Sequence, residues 1–243
     1  IYNIILLIKR LLLALFLFFI GRLFFYIYNF GLFADIEFWQ LAKIFFVGIR
    51  FDVSVLCYFN LLFILVHIIP IGRFIALRPI QLFLKIYFIV INSILLFSNL
   101  SDSIYFHFVQ KRSTSDIFKF IFLSDDVPTL LPGFIKDYWF VGIVWMIILI
   151  LTWIIYPKFN KNRFDEIVIA DKKPFTTKPL SLKKKKVLQL VYKLIIMVVI
   201  IGLSLVGARG GLQLKPLSII DASKHVSVSQ MPLVLNSVFT VMT

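Results

Sequence analysis

"KKKKVLQLVYKLIIMVVIIGLSLVGARGGLQLKPL" occupies residues 183–217. Four lysines precede a run of apolar residues broken by one charge, Lys193, and an Arg-Gly-Gly follows it. A helix rises 1.5 Å per residue, so about 20 such residues cross the roughly 30 Å of hydrocarbon in a bilayer. The lysines suit an anionic membrane face, and the glycines mark the end of the helix. Lys193 lies two turns inside and can extend its ammonium back to the headgroups. The stretch reads as a membrane crossing with a held side and a delivered side.

The whole chain has the same character. Of its 243 residues 60% are hydrophobic, 28 are Phe, and the mean hydropathy is +0.97. Soluble domains hold about 45–50% apolar residues and could not bury this much. The expected class is therefore an all-α polytopic membrane protein. A net charge of +14 would suggest nucleic acid in a soluble protein. Here the charges flank apolar segments, so topology explains them and no nucleic-acid partner is expected. The single cysteine, Cys57, lies in an apolar run and reads as a packed membrane residue. The chain opens on Ile1 without a charged n-region and cleavage site, which reads as a truncated start rather than a signal peptide.

Five crossings are expected, over residues 11–33, 53–69, 80–100, 138–156 and 187–206, with breaks at Pro70-Ile-Gly72, Pro132-Gly133 and Gly207. Residues 1–206 form the membrane domain in this reading, and 207–243 an external linker. No internal repeat is visible, which weakens a transporter built from inverted halves. One set of connections carries 14 Lys and Arg, ten of them between residues 157 and 186; the other set carries nine. The positive-inside bias then puts the N-terminus and the Lys-rich loop in the cytoplasm and the C-terminus outside. Two outer stretches, "FADIEFWQLAKIFFVGIRFD" (33–52) and "STSDIFKFIFLSDD" (113–126), are too charged to span and too apolar for free loops. Each reads as a helix lying in the interface. The loop at 158–182 reads as solvated.

No Gly-rich phosphate loop, Cys/His metal spacing or serine elbow is present. His67, His107 and His225 are scattered and read as packed or solvated rather than as ligands. The informative pattern is polar residues by depth. Arg50, Asp52, Asn99, Asp102, Arg112, Thr114, Asp116, Arg209, Gln213 and Lys215 all fall on the outer side. They serve either as headgroup anchors or as a shared site in which Arg50, Arg112 and Arg209 clamp a lipid phosphate, with Asp52, Asp102, Asp116 and Lys215 around it. Arg22 stands apart. It follows Arg10 by 12 residues, about 18 Å along a helix, where a charge costs roughly 3 kcal/mol or more unless paired or snorkelling. Asp52 is the acid nearest it in depth; pairing and snorkelling both remain open.

"GIRFDVSVL" (48–56), "SNLSDSIYFHFVQKRSTSDIF" (98–118), "GARGGLQLKPLSIIDAS" (207–223) and "PLVLNSVFTVM" (232–242) together resemble the membrane half of lipoteichoic acid synthase-like proteins, which are sulfatase-like phosphoglycerol or phosphoethanolamine transferases. The likeness extends over nearly the whole chain as short polar islands in an apolar sequence. It implies a multi-pass protein of the bacterial cytoplasmic membrane. It also implies an external catalytic domain of the alkaline-phosphatase type, with a threonine nucleophile and a manganese or magnesium ion, and phospholipid headgroups as partners. Neither the nucleophile motif nor the metal ligands fall on residues 1–243, so the chain itself is expected to hold no catalytic residue and no cofactor. A small transporter or channel and a non-enzymatic scaffold are the alternative classes; the first calls for facing charges at mid-depth and broken helices.

Overall fold

Within hydrocarbon every backbone N–H and C=O must find its partner inside the chain, which leaves helices as the form these apolar segments can take. The computed structural model describes residues 2–69, 72–116, 127–162, 164, 182–213 and 215–243, and they contain helices and turns with no strand among them. The long elements are α1 (Tyr2–Tyr28), α2 (Phe38–Phe59), α3 (Leu61–Ile68), α4 (Arg78–Val109), α5 (Val127–Asp137), α6 (Trp139–Ile155) and α7 (Leu182–Arg209). Short helices α8 (Ile220–Ser223), α9 (Met231–Val234) and α10 (Ser237–Met242) follow. Three helices are long and apolar enough to cross a membrane: α1, α4 and α7. They become four if α2 and α3, bent by 69° at their junction, form one broken span. The α6 helix is apolar but has 17 residues.

The helices pack in a row: α7 on α2 and α3, α2 on α1, α1 on α4, and α4 on α6. The central helix α1 buries Leu7, Ala14, Leu17, Phe18, Gly21 and Phe25 at helical spacing. Its neighbour α4 buries Leu84, Phe88, Asn92, Leu95, Asn99 and Phe106 on one face. Pro79 in the first turn starts α4, and Gln110, at φ 53°, closes it in the left-handed region.

Several boundaries differ from the sequence reading. The stretch 33–52 is not a separate interfacial helix, because residues 38–52 are the first turns of α2. Its Arg50 and Asp52 have partners within the protein, so they need no aqueous interface. The Pro132-Gly133 break is absent: α5 runs through it. The last long helix continues past Gly207 to Arg209 and ends on Gly210 and Gly211, at φ 75° and 140°. There the Gly211 amide donates to Val206 O and the Gly210 amide to Gly207 O, the paired bonds of a Schellman stop. Pro70 and Ile71, most of the second expected interfacial helix (117–126) and most of the loop 158–182 lie outside the described residues.

The bend between α2 and α3 falls at Asn60, which exchanges amide hydrogen bonds with Asn92 of α4 at 3.3 and 3.1 Å. Both are buried. Asn92 Nδ2 also donates to Phe88 O at 2.8 Å, and away from water such an amide pair ties a broken span to its neighbour.

At the N-terminal end of α1, Arg10 is 1% exposed and closes the bundle. It donates to His67 Nε2 (2.7 Å), Gln81 Oε1 (3.0 Å) and Pro157 O (3.1 and 3.2 Å), joining α1 to α3, α4 and the exit of α6. Because guanidinium can only donate, His67 Nε2 is the acceptor, and Nδ1–H donates to Phe63 O at 2.7 Å.

Candidate functional site

The opposite end holds two buried ion pairs. Arg22 of α1 meets Asp52 of α2 at 2.8 Å, and Arg112, just beyond α4, meets Asp102 at 2.5 Å. All four residues are buried. Arg22 also donates to Phe45 O (3.3 Å) and Gly48 O (3.2 Å). Gly48 leaves the space that this guanidinium fills, since a Cβ there would lie 1.7 Å from Arg22 Nη1 and would displace it. The Arg112 guanidinium is occupied on three sides. Nη1 donates to Asp102, Nε to Pro232 O (2.9 Å) and Nη2 to Leu235 O (2.9 Å), while Cζ sits 3.6 Å over the Phe25 ring.

The acceptors for these cations come in part from the C-terminal segment. Asn236 donates to Asp52 Oδ1 at 2.8 Å and accepts the Phe239 amide, so one side chain both caps α10 and fixes the carboxylate. Asn99 Oδ1 accepts from the Ser237 amide and hydroxyl at 3.1 and 3.2 Å. Asp102 Oδ1 accepts from the Ser113 amide (2.8 Å) and hydroxyl (2.5 Å). The Thr240 hydroxyl donates to Ser113 O at 2.6 Å. Phe239 packs edge-on against Phe51 of α2, with ring centroids 5.0 Å apart. The stretch that reads as a linker in the sequence is thus seated between α2 and α4, with Leu233, Val234, Asn236 and Thr240 buried.

A second polar cluster surrounds the end of α7. The last carbonyls of a helix lack intrahelical donors and carry partial negative charge. Ser54 donates to Ala208 O (2.5 Å), Arg50 Nε to Gly210 O, and the Leu217 amide to Arg209 O (3.0 Å). Arg50 Nη2 also donates to Gln213 Oε1, and Arg209 Nη2 to Gln213 O at 3.2 Å. One polar face of α2, Arg50 and Ser54 a helical turn apart, therefore caps α7 from the side.

The seven residues proposed to bind substrate fall into three groups. Asp52, Asp102 and Arg112 are buried in the ion pairs; Arg50, Arg209 and Lys215 stand around the α7 end, the last two exposed; Asp116 is exposed beside Thr114. The three arginines do not meet on one point as a phosphate clamp requires. Arg112 is drawn into the bundle because the returning C-terminal segment offers it carbonyls, and Arg50 is drawn to those of α7. Arg22 pairs with Asp52 and does not snorkel.

The sequence reading missed Asn236, the Asn60–Asn92 pair and the role of Arg10. The available signal was their polarity within apolar runs. Asn92, Asn99 and Ser103 recur at spacings of seven and four on one face of α4. Among the described residues no three of His, Cys, Asp and Glu stand together to hold a metal ion.

No protein-family model, curated protein or solved structure matches the chain.

Proposed function

We propose that this chain is the membrane module of an outer-leaflet headgroup transferase, which moves phosphoglycerol or phosphoethanolamine from a phospholipid to an acceptor of the cell envelope. In this reading α1, the bent α2–α3 pair, α4, α6 and α7 are five crossings. The N-terminus is cytoplasmic, the C-terminus external, and the membrane is the bacterial cytoplasmic membrane. The reaction type comes from the sequence resemblance.

The observation that carries the reading is the seating of residues 231–240 between α2 and α4 by two buried ion pairs and Asn236. Arg112 donates to Pro232 O and Leu235 O, and Asn236 donates to Asp52; hydrogen bonds to charged groups contribute about 1.5–3 kcal/mol each, so the segment is held at a fixed height over the bundle. A catalytic domain attached there would meet lipid headgroups at a set distance. The exposed Arg209 and Lys215 supply positive charge at the same rim, suited to a phosphodiester.

The test uses the whole product of the gene reconstituted in liposomes with manganese or magnesium. Transfer of the headgroup phosphate breaks its bond to the glyceride, so diacylglycerol is released. Release from phosphatidylglycerol or phosphatidylethanolamine above protein-free liposomes is the expected result; release from neither overturns the reading.

The broken α2–α3 span and the buried Arg22–Asp52 pair are also features of transporters. Against that use, the two charges pair with each other and with Phe45 O, Gly48 O and Asn236, although Arg22 Nε has no hydrogen-bond partner among the described residues. Ion conductance across a planar bilayer carrying the purified protein would favour the transport class.

A further inference from the structure

Residues 210–230 join the end of α7 to the segment seated between α2 and α4, and two tethers fix where they run. Arg50 Nε donates to Gly210 O, and Gln40 Nε2 donates to Gln230 Oε1 at 2.9 Å. These two α2 residues are ten positions apart, about 15 Å along the helix. Gly210 is therefore level with Arg50 and Gln230 with Gln40, and the chain climbs beside the first half of α2. Between the tethers the Leu217 amide donates to Arg209 O at 3.0 Å, and the Leu217 side chain packs on Gly210. The chain is thus folded back onto the end of α7 at residue 217. Leu212 is two residues from Gly210 and Ile220 three from Leu217, so both lie within about 11 Å of that end. Val228, two residues before Gln230, lies within about 7 Å of the upper tether.

The half of α2 beside this chain is the outer part of the bent span α2–α3. Its exposed side chains include Phe38, Trp39 and Phe46, and Trp is enriched where headgroups meet hydrocarbon. The climbing chain shows the same character. Leu212 is 91% exposed, Ile220 72% and Val228 78%. One exposed leucine needs no explanation on a protein in water. Here, three large apolar side chains stand outward beside a span whose own outward residues are aromatic. A bilayer surrounds a span on every side, so depth decides what an exposed side chain meets. The headgroup zone is only about 5–8 Å thick on each side of the hydrocarbon. A climb of about 15 Å along a span therefore starts at the level of acyl chains. The charges agree: residues 209–230 carry Arg209, Lys215 and Lys224 against a single acid, Asp221, which is paired with Lys224. Exposed cations beside apolar side chains suit the phosphates of a lipid surface.

We propose that residues 210–230 are embedded in the membrane surface, with Leu212 and Ile220 among acyl chains, Val228 at headgroup level and Lys215 against lipid phosphate. In the proposed topology this is the outer leaflet. The partner is the phospholipid surface itself, and the stretch is a membrane-bound strap rather than a free linker. The inference rests on α2–α3 and α7 crossing a bilayer and is independent of the transferase reading.

The test is spin labelling of the protein in liposomes of phosphatidylglycerol and phosphatidylcholine. Cys57→Ser removes the native thiol, and single cysteines enter as Leu212→Cys, Lys215→Cys, Ile220→Cys and Val228→Cys, with Val198→Cys on α7 as the membrane control. All five sites are exposed, so folding does not depend on their side chains. Oxygen concentrates among acyl chains and a nickel chelate in water, and power-saturation EPR reads the ratio of access by the two. The ratio should favour oxygen at 198, 212 and 220, fall at 228, and be lowest at 215. Nickel favoured at 198 would remove the membrane reading and this inference with it. Oxygen favoured at 198 but nickel favoured at 212 and 220 would overturn the inference alone. Low access by both reagents at 212 and 220 would mark a covering protein and would also overturn it. Equal ratios at 215 and 212 would take Lys215 away from the phosphates.

Discussion

Gly48 lacks a side chain in the space that the Arg22 guanidinium fills. A methyl group at 48 would displace Nη1, from which an added Cβ would lie 1.7 Å, and would pull the cation off Asp52. We expect Gly48→Ala to destabilise the protein by about 3 kcal/mol, the order for a broken buried ion pair. In an Arg22→Leu, Asp52→Asn background the same change should be close to neutral. Thermal unfolding in detergent of the four combinations measures the coupling; equal losses in both backgrounds would show that Gly48 answers to something else. At the surface, the Asp221 carboxyl is held down to about 2 by the hydrogen bond from the Lys224 ammonium and by the Ser218 amide. Its folded value lies below the ordinary carboxylate value near 3.9. The stability it contributes is therefore complete above about pH 4 and is lost as pH falls through about 2. A carbon-detected NMR titration of Asp221 should place its midpoint near 2, and Lys224→Ala should raise it.

Among the elements, the end of α7 shows how far one helix can depend on another. Its final carbonyls are served by Arg50 and Ser54 of α2, and Gly207 allows the close approach, since a Cβ there would lie 2.8 Å from Cys57 Sγ. Hydrogen bonds from a charged donor contribute about 1.5–3 kcal/mol. Arg50→Ala should then raise hydrogen–deuterium exchange of the amides at 206–211 by roughly tenfold or more, since 1.4 kcal/mol corresponds to a factor of ten. The N-terminal turns of α2 should be unaffected. Arg50→Lys should recover part of the protection, because an ammonium lacks the planar fork whose separate nitrogens reach Gly210 O and Gln213.

For the whole molecule, the arrangement of 14 Lys and Arg against nine predicts a cytoplasmic N-terminus and an external C-terminus through an odd number of crossings. Reporter fusions after Lys178 and after Ser223 should give opposite compartments; one compartment for both would remove the fifth crossing. Membrane embedding was legible from composition and from the apolar run at 187–206 because hydrocarbon thickness sets a minimum length that any sequence must meet. The polar islands at 48–56, 98–118 and 207–242 were also visible as departures from an apolar background. Their grouping was not. Arg50, Arg112 and Arg209 share a depth, and depth is all that counting along a helix supplies; which cation meets which acceptor depends on rotation about each helix axis and on where the chain returns. Residues 231–240 return between α2 and α4, so Arg112 took carbonyls from Pro232 and Leu235, Asp52 took Asn236, and Arg50 was left to cap α7. Length and hydropathy select the solvent through one-dimensional sums over the chain, whereas the hydrogen-bond partner of a buried charge can lie 184 positions away, as Asn236 does from Asp52, and is met only once the helices have packed.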